Sequence, residues 1–251
     1  GYGIIDQTSR NLTAYLIKTF GDHFHVIIVF HTFPDLAQIS SAAYYSSIFN
    51  DTEGIGIERM NGRKGWGSNP VTGMLDGYVN MNNLDRYGDS IDNLSSSVYS
   101  VLGQEITHRF LAFLTYKDAQ GNISEKMLGR DGSHWSVPLQ SYGSVMDGIL
   151  YEEVSETEFR VMGRENNFSP LDEYAMGLRE PKDVESWFYI NGAKANGSDV
   201  GPQTYLNKGV IVTDEKETIT IDQVIAVHGL RTPVSYEQKW PQALGVLLAE
   251  P

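Results

Sequence analysis

The sequence predicts a mixed α/β (α+β) fold, and three stretches carry that expectation. HFHVIIVF at 23–30 is a β-branched apolar run that reads as a buried strand. SSSVYSVLGQEITHRF at 95–110 keeps Val98, Val101, Leu102 and Ile106 on one helical stripe. SPLDEYAMGLR at 169–179 opens with Ser169 as N-cap, Pro170 at the first helical position and Asp172 in the first turn.

Taken in order, the first element is a helix in SRNLTAYLIKTFG (9–21), with Leu12, Tyr15, Leu16 and Phe20 as its apolar face and Gly21 as its stop. The 23–30 strand follows, with His31 closing it. Residues 40–70 are rich in Gly, Ser and Asn and read as loop, with GIGIER (54–59) as a short strand. MLDGYVNM (74–81) alternates as a strand does, at a sheet edge. Ser95 or Ser96 caps the helix of 95–110. FLAFLTYKDAQGNISEKML (110–128) reads as a hairpin around Asp-Ala-Gln-Gly-Asn, and ETITIDQVIAVHG as a strand leading into a short helix.

Composition narrows the function. A chain of 251 residues with 41% hydrophobic content buries a substantial core without staples. A formal charge of −13 argues against nucleic acid, whose phosphates favour basic partners. No apolar run approaches the ~18 residues of a membrane span, and GYGIIDQTSR lacks a signal-peptide pattern. The absence of cysteine removes disulfides, thiolate nucleophiles and cysteine-ligated zinc. The acidic run YEEVSETE (151–158) reads as a solvated face or loop.

The chemistry-bearing string is GQEITH at 103–108. With His in place of Gln104 it would match H-E-x-x-H, in which two imidazoles one helical turn apart grip one Zn²⁺ and the Glu takes a proton from the metal-bound water. Glu105 and His108 occupy the general-base and second-ligand positions. Alone, E-x-x-H is a short string that recurs by chance. Downstream, LGRDGSHWSVPLQSYGSVMDG (128–148) places His134 in a glycine-dense loop and Met146 twelve residues later. His23 and His25 share one face of a strand and could form a metal pair, although a partly buried structural pair fits this residue type better. His228, before Gly229, reads as a helix-end cap.

With these stretches together the chain resembles the metzincin zinc peptidases, closest in style to the leishmanolysin-like branch. It is also similar to exported bacterial proteins carrying HExGHRW, GRDGxHWS, SVM and SPLDLYLMG in that order. The corresponding stretches are QEITHRF, GRDGSHWS, SVMDG and SPLDEYAMG, and the ordered series extends over roughly residues 20 to 240. The resemblance implies a zincin-like mixed sheet, an active-site helix, a methionine turn and a looser C-terminal part. It makes 1–251 a single metallopeptidase-like domain with subdomains 1–133 and 134–251.

It further implies Zn²⁺ held by His108 and His134, the two ligand nitrogens about 3–5 Å apart as shared tetrahedral coordination requires, with Glu105 as base and a peptide or protein as substrate. Met146 lies beneath the site in a turn that Gly148 permits, Trp135 packs beside it, and Asp172 is either a partner to a ligand histidine or a helix-start residue. Arg130 and Asp131 pair to fix the loop of His134. The location implied is extracellular or periplasmic.

Two departures matter: Phe110, Leu111 and Ala112 stand where metzincins carry a glycine and a further histidine, and Gln104 replaces an imidazole by a weak amide donor. Three outcomes stay open: zinc on His108, His134 and Gln104 or water with reduced affinity, another histidine substituting, or an empty site. The alternative function is a catalytically inactive metallopeptidase-like binding module.

Overall fold

A computed structural model describes residues 2–33, 43–87, 97–164, 167–234 and 242–249. The fold is mixed α and β. In chain order the first elements are α1 (Tyr2–Phe20), β1 (Val26–His31), β2 (Tyr44–Ser47), β3 (Phe49–Asn50), β4 (Met60–Asn61), β5 (Gly77–Asn83) and α2 (Val98–Thr107). After these come β6 (Tyr116–Lys117), β7 (Ile123–Ser124), β8 (Ile149–Glu153), β9 (Glu158–Arg164) and α3 (Pro170–Met176). The last are β10 (Trp187–Ile190), β11 (Lys194–Ala195), β12 (Ser198–Asp199), β13 (Ile211–Thr213), β14 (Lys216–Ile219), α4 (Ile221–His228) and β15 (Ala243–Leu248). No helix among the described residues is long and apolar enough to cross a membrane.

The chain gathers into two compact units. One comprises Gly1–Asp51, Glu58–Arg109 and Lys239–Pro251, the other Thr52–Ile57 and Phe110–Gln238. The sequence division was drawn at 133/134.

The first unit is built on a sheet of order β15-β1-β5-β2, with β1 parallel to both β15 and β5 and β2 antiparallel to β5. The pleat sends alternate residues of β1 to opposite faces. Ile27 and Val29 join Leu16 of α1, Trp66 and Tyr78 on one side, while Val26 and Ile28 join Val79 and Met81 on the other. Val98, Val101, Leu102 and Ile106 of α2 pack on that second side, the stripe read from sequence. A strand covered on both faces has no polar side, which is why 26–31 is a near-continuous apolar run.

Several expectations need correction here. The buried face of α1 is Ser9, Thr13 and Leu16, while Tyr15 and Phe20 are exposed. The short side chains of Ser9 and Thr13 sit against the sheet, Ser9 Oγ within 3.2 Å of the Tyr44 hydroxyl. MLDGYVNM is not an edge: β5 lies between β1 and β2, and among the described residues the edges are β2 and β15. GIGIER forms no strand, because Gly54 and Gly56 turn through positive φ (77° and 81°) and press on the backbone at Leu230 and Phe113. His23 and His25 precede β1 rather than sharing its face, and His25 Nδ1 accepts a hydrogen bond from the backbone N–H of Gln242. Ser95 and Ser96 lie outside the described residues, and the observed cap of α2 is Ser97, whose side chain accepts from Ser100 N–H.

The second unit carries a five-stranded antiparallel sheet of order β12-β11-β13-β9-β8 and the pairs β10-β14 and β6-β7. The expected hairpin at 110–128 is present as β6-β7, shorter than the sequence stretch. Residues 152–158 form the exposed end of the β8-β9 hairpin, as read from charge. Two apolar clusters organise the unit. One gathers Leu111, Leu114, Trp135, Met146, Tyr174 and Val224, and the other Ile149, Phe159, Val161, Phe188 and Val212. α3 starts as predicted, with Ser169 and Asp172 forming a reciprocal capping box and Pro170 at its first position. His228 is the last residue of α4, before its C-cap Gly229, as read from sequence. Its Nε2 sits 3.0 Å from both the backbone nitrogen and the hydroxyl of Thr115, and burial lowers its pKa.

Candidate metal centre

α2 presents the first group of expected residues. Gln104 and His108 lie one turn apart, so both fall on the same side of the helix, and each is half-buried. Glu105 is buried, 7% exposed. The helix ends at Thr107 rather than continuing to 110. His108 is its C-cap, still in helical backbone (φ −55°, ψ −13°), with its N–H directed at the carbonyls of Gln104 and Glu105. Ala112, at φ 63°, then takes the chain away from the helix direction.

A buried ionic cluster fixes the end of that helix. Asp76, just before β5 and 2% exposed, receives Arg109 Nη2 on Oδ2 at 2.7 Å and Arg63 Nη2 on Oδ1 at 2.9 Å. Arg63 also donates from Nε to the Leu75 carbonyl at 2.9 Å and lies over the Phe49 ring at 3.5 Å. Burial raises the Asp76 carboxyl above its ordinary range, and the Arg109 and Arg63 guanidiniums pull the other way. Because Arg109 follows His108 directly, the cluster sets where the histidine sits. Sequence reasoning missed this set, and no local pattern marks it: residues 63, 76 and 109 are brought together only by the sheet.

The second group belongs to the other unit. Residues 129–136 fold back on themselves: Gly129 N–H donates to the His134 carbonyl (2.7 Å), Trp135 N–H to the Met146 carbonyl (2.8 Å) and Ser136 N–H to the Met127 carbonyl (2.8 Å). His134 is 3% exposed. Its Nδ1 lies 3.0 Å from the Arg130 carbonyl, which can only accept, so Nδ1 carries the proton and Nε2 the lone pair. Burial, then the charge of Arg130, lowers its pKa and keeps the ring neutral. Nε2 receives Arg130 Nη2 at 2.6 Å. The expected Arg130–Asp131 pair is present at 3.7 Å with an exposed Asp131, and Arg130 Nε makes a closer one to Asp147 Oδ2 at 3.1 Å.

Beneath this loop the structure assembles Trp135, Met146 and Asp172. Met146 is fully buried in the same cluster as Trp135 and Tyr174. Of the two roles expected for Asp172 the helix-start one is observed, and its second oxygen takes a tryptophan rather than a histidine. Its Oδ2 accepts the Ser169 N–H of the capping box (2.9 Å), and its Oδ1 accepts the Trp135 indole N–H (2.8 Å), anchoring the residue next to His134. It therefore serves the helix start and, through Trp135, the histidine loop.

Gly148 is needed for space rather than for φ. Asp147 takes the positive φ of the turn (68°), while a Cβ on Gly148 would stand 2.2 Å from Ser141 Oγ and 2.9 Å from Ser144 N. Gly148→Ala is expected to cost about 1–3 kcal/mol, as overpacking does, read as a lowered urea midpoint. An unchanged midpoint would mean that the turn yields freely.

Zinc favours imidazole nitrogen in tetrahedral sets. His134 fits that chemistry, because a carbonyl holds its Nδ1 proton and leaves Nε2 basic. His108 supplies a second imidazole, and Gln104 is a poor third donor. Among the described residues no three His, Asp or Glu side chains are gathered closely enough to hold a metal ion. No family model, curated protein or solved structure matches the chain.

Proposed function

We propose that the chain is a metzincin-like zinc endopeptidase, exported from the cell, whose metal site is weakened by Gln104. One observation carries the reading: His134 is buried, and the Arg130 carbonyl on Nδ1 leaves Nε2 as the nitrogen with the lone pair. The residues that would hold the ion are the ones the resemblance singles out, His108 and His134, with Gln104 or water as the weak third donor. When bound, zinc supplies a polarising charge and a water of lowered pKa. Glu105 takes up a proton as general base and returns it to the leaving amine. β2, an edge of its sheet among the described residues, is the strand that accepts an extended peptide, since β5 is paired on both sides.

A second reading, a non-catalytic binding module, is favoured by the Arg130 guanidinium seated on Nε2 of His134. Incubation of the protein with an unstructured polypeptide and added zinc separates the two. The first reading expects slow cleavage that stops with a chelator and with Glu105→Gln. No cleavage at any zinc concentration would hand the chain to the second reading.

A further inference from the structure

We propose that Asn196 is a site of spontaneous deamidation, converted through a cyclic imide with Gly197 into aspartate and isoaspartate. The site lies wholly in the β11-β12 hairpin and is independent of the zinc reading.

Three Asn-Gly pairs occur in the chain: Asn61-Gly62, Asn191-Gly192 and Asn196-Gly197. Such a pair is reactive because glycine has no Cβ to shield its nitrogen from the preceding side chain. At the proposed site the Gly197 nitrogen attacks Cγ of Asn196, and an N–C bond forms as the Cγ–Nδ2 bond breaks. The proton of the Gly197 N–H leaves with Nδ2 as ammonia. Water then opens the ring at either carbonyl, giving an ordinary aspartyl link or one that runs through the side chain. The net change is uptake of water and loss of ammonia, with no other reactant.

The fold shields two of the three pairs. Asn61 Nδ2 donates to the Pro70 carbonyl at 2.9 Å, and its Oδ1 accepts the Arg63 N–H at 3.3 Å. Gly62 N–H donates to the Ile48 carbonyl at 2.7 Å, so the attacking nitrogen and the amide under attack are both tied down. Asn191 Oδ1 accepts Lys126 Nζ at 2.8 Å. The Asp214 carboxylate stands beside Gly192, 3.0 Å from where a Cβ would lie, and its charge opposes loss of the Gly192 amide proton.

The third pair is open. Asn196 and Gly197 form the two-residue loop between β11 and β12, at φ 51° and 79°, and both are exposed. The Asn196 amide has no hydrogen-bond partner among the described residues, and a Cβ on Gly197 would meet nothing within 4 Å. Ring closure has to turn Asn196 out of its left-handed conformation, which opens the loop. Among the described residues the strand pairing that opposes this is Lys194 with Asp199 and Ala195 with Ser198, and β12 is an edge of its sheet. The side-chain-linked product lengthens the backbone of a loop built for two residues. Either product adds a negative charge to a chain already at −13.

The test is peptide mapping by mass spectrometry after the whole folded chain is held in warm, mildly alkaline buffer. Conversion at Asn196 is expected to outpace that at Asn61 and at Asn191 by at least about tenfold, the scale of contacts that must open first at those two sites. In denaturing urea the three positions should convert at similar rates, since the dipeptide is the same. Asn196→Gln, whose longer side chain would have to close a larger ring, should abolish conversion at 196 and leave the other two sites unchanged.

Equal conversion at the three positions of the folded chain, or faster conversion at Asn61 or Asn191, would overturn the assignment. An Asn196 that stays intact in the folded chain while urea renders it reactive would overturn it too. The same holds if the mass gain in that peptide persists in Asn196→Gln.

Discussion

Replacing Gln104 by His is expected to raise zinc affinity by roughly a hundredfold or more, since an imidazole replaces a neutral amide on a borderline-soft cation. The position is ready to receive it. Gln104 sits in the last turn of a regular helix, one turn before His108 and half-buried like it, so a histidine there needs no new backbone. Peptidase activity should rise with occupancy, and Gln104→His combined with Glu105→Ala should hold zinc while cleaving nothing, because the proton acceptor is gone. Both variants belong in one assay, with unstructured protein as substrate and zinc added. If Gln104→His binds zinc no better than the unaltered chain, the remaining donors do not form a site, and the binding-module reading replaces the peptidase.

The second large effect is on stability. Asp76→Ala removes the carboxylate that Arg63 and Arg109 share in a nearly solvent-free setting. Breaking such a pair from one side costs about 3–5 kcal/mol, since the desolvation of the guanidiniums remains while the attraction is lost. Urea unfolding should show a large fall in midpoint, whereas Lys182→Ala, which breaks the exposed pair with Glu180, should leave the midpoint where it is. A loss below about 1 kcal/mol for Asp76→Ala would mean that water reaches the cluster and that it does not fix the end of α2.

What could be read in advance follows from the range of the interactions. α3 was legible because a capping box, a helix-starting proline and their spacing are all local. β1 was legible because burial on both faces leaves only apolar residues. The place of β5 inside its sheet was not, since it depends on β2, whose YYSS carries no clear alternation, and on β1, nearly fifty positions earlier. For α1 the spacing marked Leu12 and Leu16, which do pack in the core, together with Tyr15 and Phe20, which are exposed because Ser9 and Thr13 take part of the buried face.

The candidate site shows the same division. Glu105, His108, His134 and Met146 were singled out by motif and resemblance, and what the structure adds is that Met146 and Trp135 are buried in one apolar cluster. Arg130 pairs with its sequence neighbour Asp131 as expected, while its closer partner Asp147, seventeen positions away, was not legible. Gly148 does permit the turn, and what could not be read in advance is that it does so by leaving room beside Ser141 and Ser144.

Metal content bears most directly on the central claim. The protein, purified without chelators and equilibrated with micromolar zinc before buffer exchange, would be analysed for zinc per chain beside His134→Ala, His108→Ala and a chelated control. The account predicts retained zinc in the unaltered protein, up to one ion per chain, and a loss to the level of the chelated control in both variants. Equal zinc in the unaltered protein and in both histidine variants would contradict it.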